Sequence, residues 1–535
     1  MGESRWWERG VVYHVYPRSF KDSSGDGVGD LRGITEGLGY LSWLGVDAVW
    51  ISPFYPSPMK DFGYDVSDHE DVHPTFGTLE DFDALVAEAH RLGLKVILDY
   101  VPNHTSDRHP WFEESRSSRQ SPRRDWYLWR DPDPRTGGPP NNWLASFGGP
   151  AWTYDEGTGQ YYYHAYLPEQ PDLNWRNREV REAMLGVLRF WLDRGADGFR
   201  VDALRQLLKD DRFRDNPPNP SYRTEGSPYD ALLPAYSTDR PEVHEAIRRM
   251  RGVLDGYGER LLIGELYLPI DRLVAYYGEG GTGVHLPTNM HLIPIPWNAR
   301  EIASLIERYE AALPEGAWPN WVLGNHDRSR IASRVGAAQA RVAAMLLLTL
   351  RGTPTIYYGD EVGMHDVPIP PTKIRDPWEK NVPGRGLGRD PERTPMQWSP
   401  ETNAGFCPAD AEPWLPIAED HDRNNVSTER DDPASILTLH RRLLALRRAT
   451  PALSTGSYAP VPATGDGLAY LREGDGRRYL VALNLGRDPH ELAPDAGSPW
   501  RGRIVLSTHP DREGEILDGK AGLRPDEGLI IELHP

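Results

Sequence analysis

Short apolar runs alternate with amphipathic stretches through most of the chain. VVYHVYPRSF (11–20), DAVWISPFY (47–55), LKVILDYVPNH (94–104), ADGFRVDAL (196–204), LLIGELY (261–267), WVLGNHD (321–327) and TPTIYYGDE (353–361) are rich in branched and aromatic residues and predict strands. GVHLPTNM (283–290) is a weaker eighth. LEDFDALVAEAHRLG (79–93) and REVREAMLGVLRFWLDRG (178–195) space their apolar residues at i, i+3 and i+4, which predicts helices. Near-continuous apolar strands followed by helices predict a parallel sheet covered on both faces. Eight such units predict an α/β protein built on a (β/α)8 TIM barrel.

The alternation breaks in three places. From Thr105 to Trp175 the chain is rich in Pro, Gly, Trp, Arg and Asp without a clear helical pattern, which predicts a domain inserted after strand 3. A polar, Pro-rich excursion runs from Met364 to Ala434. From Ser457 onward, LAYLRE, RRYLVALNL, RIVLST and GLIIELH are short runs between turn residues and predict a C-terminal antiparallel β domain. The expected division is therefore a barrel over 1–104 and 176–456, an inserted domain over 105–175, and a β-sandwich over 457–535.

A net charge of −19 argues against nucleic acid and anionic membrane as partners, because both are held by basic patches. A small neutral molecule fits better. The N-terminal MGESRWWERG has no apolar core of a signal peptide. VAAMLLLTL (342–350) is far shorter than the ~20 residues that span a bilayer. Cys407 is the single cysteine, so no intrachain disulfide can form, and a cytoplasmic location is expected.

GFRVDALRQ (198–206) places Arg200 and Asp202 two apart in an otherwise apolar strand, on one face by alternation. A buried charge pair is costly, so its presence asks for a reason. Chemistry in such a barrel sits at the C-terminal ends of the strands. Reading those ends gives DYVPNH (99–104), GFRVD (198–202), GEL (264–266) and NHD (325–327): acids, two histidines and an arginine converging on one mouth. A lone strand-end acid is more often a helix cap or the partner of a lysine; four ends carrying the same chemistry are not explained that way.

DYVPNH, GFRVDALRQ, IGEL and GNHD, in this order and spacing, resemble the four core regions of the α-amylase family, glycoside hydrolase family 13. QPDLNW (170–175) resembles a fifth region in the form typical of its oligo-1,6-glucosidase and α-glucosidase branch. The resemblance covers essentially the whole chain. It implies that Asp202 is the nucleophile, Glu265 the general acid/base, and Asp327 the third acid, which binds ring hydroxyls and stabilises the transition state. A retaining glycosidase sets two carboxyls ~5 Å apart, one to attack and one to protonate the leaving oxygen. Arg200 is then expected to keep Asp202 ionised. Glu265 must carry a proton, with Ile263 and Leu266 supplying apolar surroundings.

DFGYD (61–65) resembles the family's sugar-pocket motif. The resemblance implies that Tyr64 stacks on the glucose ring, that Asp61 and Arg393 of RTPMQW bind its 4-hydroxyl, and that His104 and His326 bind other hydroxyls. Phe147 and Tyr166 would frame the entrance or belong to the inserted domain's own core. A pocket closed beyond one sugar would act on chain ends. In this branch, valine after the nucleophile goes with α-1,6 bonds and alanine or threonine with α-1,4; Ala203 therefore points to maltose-like substrates.

DSSGDGVGD (22–30) offers oxygens from Asp22, Ser24, Asp26, the Val28 carbonyl and Asp30, like the first half of an EF-hand loop. Gly33 stands where an EF-hand has its glutamate. By the resemblance a structural Ca2+ or Mg2+ is expected there; the alternative is a plain Asx/Gly turn. No organic cofactor is expected. The expected function is a retaining α-glucosidase releasing α-glucose from short α-glucosides, with transfer to sugar acceptors possible. The alternatives are a trehalose synthase or sucrose-active transglucosidase on the same scaffold, or a non-catalytic binding member like the amino-acid transporter heavy chains. Oligomeric state is not legible.

Overall fold

The computed structural model of the 535-residue chain describes residues 4–494 and 499–534. Eight strands form one parallel sheet: β1 (Val12–Val15), β2 (Ala48–Ile51), β3 (Lys95–Tyr100), β4 (Gly198–Val201), β5 (Leu261–Gly264), β6 (Leu286–Pro287), β7 (Asn320–Val322) and β8 (Thr353–Tyr357). β1 pairs with both β2 and β8, so the sheet curls into a barrel. The seam lies between β6 and β7, whose backbones do not pair. β6 ends at Pro287, which has no N–H to extend a ladder. The side chain of Asn320 spans the gap: Nδ2 donates to the Pro287 carbonyl at 2.5 Å, and Oδ1 accepts from the Asn289 N–H at 2.9 Å.

The strands are shorter than the apolar runs that predict them, and they are cut short at their C-terminal ends. Asp202 follows the last residue of β4, and Glu265 the last of β5. Ala203 turns the chain away with φ +48°, a left-handed conformation uncommon outside glycine. The motif residues therefore sit on the loops just past the strands, where side chains can face a ligand.

Helices α1 (Leu31–Leu44), α2 (Leu79–Arg91), α3 (Arg178–Asp193), α4 (Val243–Asp255), α5 (Ala299–Ala312), α6 (Ala337–Thr349) and α7 (Ile436–Ala449) lie along the sheet. A capping box of Thr78 and Asp81 starts α2, and Gly45 at φ +104° ends α1. The strongly apolar run predicted from sequence falls mostly in α6, which is buried all round because it packs against α7 and strands of the C-terminal sheet. Among the described residues no helix is long and apolar enough to cross a membrane.

The insert after β3 holds a helix the sequence pattern does not announce, Pro110–Ser117, and a three-stranded antiparallel sheet of Trp129–Arg130, Gln160–Tyr163 and Trp152–Asp155 in that order. The helix is only eight residues long and starts with Pro, so its periodicity is too brief to read. At the C-terminus, Ser457–Val461, Gly467–Gly474, Arg477–Asn484, Gly528–Leu533, Trp500–Ser507 and Ile516–Gly519 make an antiparallel sheet in that spatial order. A two-stranded ribbon, His490–Leu492 with Ala521–Leu523, shares an apolar cluster with one face of it. Leu468, Tyr470, Val481 and Ile530 on the other face join the barrel's core.

Candidate active site

Arg200 is 2% exposed and its guanidinium serves three carboxylates. Nη1 donates to Asp99 Oδ1 at 2.8 Å and to Asp202 Oδ1 at 2.7 Å, and Nη2 lies 2.9 Å from Glu265 Oε1. The other oxygen of Glu265 accepts from the Ala203 N–H at 2.8 Å. The turn at Ala203 thus aims a backbone donor at the acid from the neighbouring strand. Trp50, its ring under the guanidinium at 5.1 Å, donates Nε1–H to Asp99 at 3.3 Å.

The charges do not divide as the sequence suggests. Burial pushes the Asp202 carboxyl well above the usual range, the charge of Glu265 adds to this, and Arg200 only partly offsets them. Burial likewise raises Asp99 to about 6 against the pull of Arg200. One guanidinium cannot neutralise three acids; full ionisation would leave two uncompensated charges in a buried site. A proton is therefore retained by the cluster as a unit rather than by one residue. That is the proton an acid catalyst needs. Asp327 is the contrast: burial would raise it, but the permanent charges of Arg389 and Arg393, both hydrogen-bonded to it, help to outweigh burial and hold it well below the carboxylate range.

Around this centre is a cavity of about 600 Å³, within the range of small-ligand sites. Asp202, Glu265 and Asp327 line it, with Asp61, Tyr64, His104 and His326. Tyr64 is fixed by donating its hydroxyl to Asp99 at 3.0 Å and contacting His326 Nε2 at 2.8 Å; the two rings lie parallel, 5.3 Å apart. Burial lowers His104 to about 4 and also lowers His326 well below its usual range, so both rings are neutral hydrogen-bonding groups at neutral pH. Phe147 and Tyr166 also line the cavity, 5.4 Å apart between ring centroids, and Tyr166 at the same time packs against the insert's own apolar cluster.

Two residues of the expected set are not on the cavity wall. Arg200 lies beneath it. Arg393 is fully buried behind Asp327, donating Nη2–H to Asp327 at 2.9 Å and Nε–H to the His326 carbonyl at 2.6 Å. The arginine beside Asp61 is Arg389: Nη2 donates to Asp61 Oδ1 at 2.7 Å, and Nη1 to Asp327 Oδ1 at 3.1 Å. Asp376 holds the same guanidinium from behind at 2.6 Å, and Phe147 covers it at 4.6 Å. A short 3-10 turn, Asp390–Arg393, separates the two arginines, which sends Arg393 under Asp327 and leaves Arg389 facing the ligand space. Gln170, in the QPDLNW segment, closes the same corner, with Nε2 3.3 Å from Asp61 Oδ2 and 3.2 Å from His104 Nε2. The segment between Gln206 and Ser237, which has no legible pattern, also contributes Asn219, Tyr229, Asp230 and Leu233 to the cavity lining.

The Asp22–Asp30 loop stands apart. Asp22 Oδ1 accepts from the N–H groups of Ser24 and Gly25 at 2.9 and 2.7 Å, and Oδ2 from Gly27 at 2.8 Å. Asp30 accepts from Ser23 N–H at 2.9 Å and Gly33 N–H at 2.7 Å, and Asp26 from Val28 N–H at 2.9 Å. These carboxylates are spent on the loop's own donors. Among the described residues no group of three or more His, Cys, Asp or Glu side chains is arranged to hold a metal.

A (β/α)8 barrel with paired carboxyls at the C-terminal ends of neighbouring strands is an arrangement suited to cleaving glycosides. The chain belongs to the α-amylase family: residues 14–456 match its model, described as the α-amylase catalytic domain. It is a glycoside hydrolase of that family, 44% identical over 528 residues to a probable α-glucosidase of Rhizobium meliloti (strain 1021), with 96% of this chain and 95% of the relative covered. The solved α-glucosyl transfer enzyme XgtA matches with TM-score 0.94 and 41% identity, over 99% of this chain and 100% of that one. The trehalulose synthase MutB of Pseudomonas mesoacidophila MX-45 matches with TM-score 0.90 and 34% identity, over the same shares.

Proposed function

We propose that the protein is a retaining, exo-acting α-glucosidase that removes α-glucose from the non-reducing end of short, maltose-like α-glucosides. The observation that carries this is the Asp61–Arg389 ion pair closing one end of the cavity beside the acid centre. A ring seated on Tyr64 would present its 4-hydroxyl to that pair, leaving no passage for a further sugar. Asp202 and Glu265 sit on the two terminal nitrogens of one guanidinium. This supports the carboxyl spacing of ~5 Å that retaining enzymes use over the ~6.5–9.5 Å of inverting ones.

In this mechanism ionised Asp202 attacks the anomeric carbon while Glu265 protonates the leaving oxygen; Glu265 then takes a proton from water, which releases α-glucose. Asp327, held ionised, binds ring hydroxyls and counters the charge that develops on the ring. Ala203 on the cavity wall leaves space beside the aglycone sugar, which supports α-1,4 over α-1,6 bonds. Transfer to a sugar acceptor is the second reading, supported by the likeness to XgtA. The lone Cys407 supports a reducing compartment, the cytoplasm.

Proton NMR of maltose turnover tests the proposal. The α anomer of glucose is expected first, with isomaltose cut more slowly. Initial β-glucose would rule out retention, and trehalose accumulating without free glucose would make the enzyme an isomerase.

A further inference from the structure

The cavity is also lined by Arg205, three residues past Asp202, and by Arg328, next to Asp327. Both are half-buried, and neither has a carboxylate within ion-pair distance among the described residues. They flank Tyr267: Arg205 Nη1 donates to its carbonyl at 3.2 Å, and the Arg328 guanidinium lies over its ring at 5.3 Å. The nearby acid, Asp230, lines the same rim and feels the charge of Arg328 and Arg205, but it is exposed and makes no ion-pair contact with either. Tyr229 adds a shielded hydroxyl with no hydrogen-bond partner. The other guanidiniums of this site, Arg200, Arg389 and Arg393, are each tied to carboxylates.

The geometry points to an aglycone subsite that accepts an anionic group, a carboxylate or a phosphate carried by the unit from which glucose is cleaved or to which it is transferred. Two half-buried guanidiniums and a phenol present donors in excess of acceptors. Acids nearby balance part of their charge at a distance but take none of their N–H donors in an ion pair, and a guanidinium fork matches the oxygens of a carboxylate or phosphate in pairs. Tyr267, Leu232 and Leu233 supply an apolar wall beside them. Arg205 and Arg328 are thus specificity residues of the site, acting on the aglycone rather than on the reacting bond.

This inference rests on the α-glucosidase reading, so it is tested by binding as well as turnover. Maltobionate and maltitol differ essentially by a carboxylate against an alcohol on the same acyclic aglycone. On the Glu265→Gln chain, calorimetry is expected to show maltobionate bound roughly ten-fold more tightly than maltitol. Arg328→Gln and Arg205→Gln in that background should each reduce the preference, and Arg328→Lys should retain part of it. α-Glucose 1-phosphate distinguishes the two anions: binding tighter than maltobionate assigns the subsite to phosphate, weaker binding to carboxylate. Equal or tighter binding of maltitol, or a preference untouched by both Gln variants, overturns the inference. Maltose hydrolysis by the unmodified enzyme scores the glucosidase reading separately.

Discussion

Arg200 answers for the charged pair in GFRVD: it is the counter-ion around which Asp99, Asp202 and Glu265 are assembled, and its burial is tolerable only because all three surround it. Asp202 and Glu265 were legible because their motifs sit at strand ends. The protonation pattern was not, since it depends on how many acids share one guanidinium, a three-dimensional count. Arg389 was missed for a similar reason. It lies four residues before Arg393, and only the 3-10 turn between them decides which one faces the ligand. Arg389→Lys keeps a cation but loses the fork that joins Asp61, Asp327 and Asp376. We expect kcat/KM on maltose to fall roughly 100-fold, as two charge-assisted hydrogen bonds are lost, with the relative rate on maltohexaose rising as the wall loosens. Unchanged kinetics on a series from maltose to maltohexaose would show that this wall does not set chain-end action.

At the scale of elements, the predicted barrel strands were all found, because a strand buried on both faces writes a near-continuous apolar run. Their ends were overestimated, since the loops that carry the chemistry are themselves buried and read as apolar. The loop of residues 22–30 shows another limit: alternating oxygens suggest an ion, while in the fold the carboxylates of Asp22, Asp26 and Asp30 already accept from the backbone N–H groups of their own segment. Chelation with EDTA is expected to leave the thermal unfolding midpoint unchanged; a rise of several degrees with added Ca2+ would mean that the carboxylates reorient around an ion. A second test concerns the short helix Val426–Arg430 and its junction with α7. The Glu429 side chain is buried there, among the described residues without a basic partner within ion-pair distance, and its carboxyl accepts from the Leu437 N–H at 3.2 Å. Burial, with Glu361 adding to it, raises its carboxyl to about 8. A folded-state value above the unfolded one contributes stability that is complete below about 4.5 and lost as pH rises through about 8. Glu429→Gln should therefore gain stability relative to the natural chain as pH rises from 5 to 9, read as diverging unfolding midpoints. Parallel curves would contradict this.

At the scale of the whole molecule, the site is made by three parts of the chain that are distant in sequence. The barrel supplies the acids, the insert supplies Phe147, Tyr166 and Gln170, and the excursion after β8 supplies Arg389. Among the described residues the C-terminal sheet touches none of the cavity; it packs against α5 and α6. Architecture was readable from periodicity and motif order. Which loop meets which across the mouth was not, because those contacts join irregular segments with no period. The central claim is that Asp202 forms a covalent bond to glucose in this assembled pocket. The direct measurement is to incubate the enzyme with 5-fluoro-α-glucosyl fluoride, quench, digest and sequence the labelled peptide by mass spectrometry. The account predicts one fluoroglucosyl group on the peptide containing GFRVDALRQ, carried by Asp202. A label on another carboxylate, or complete turnover to β-linked product without any adduct, would contradict it.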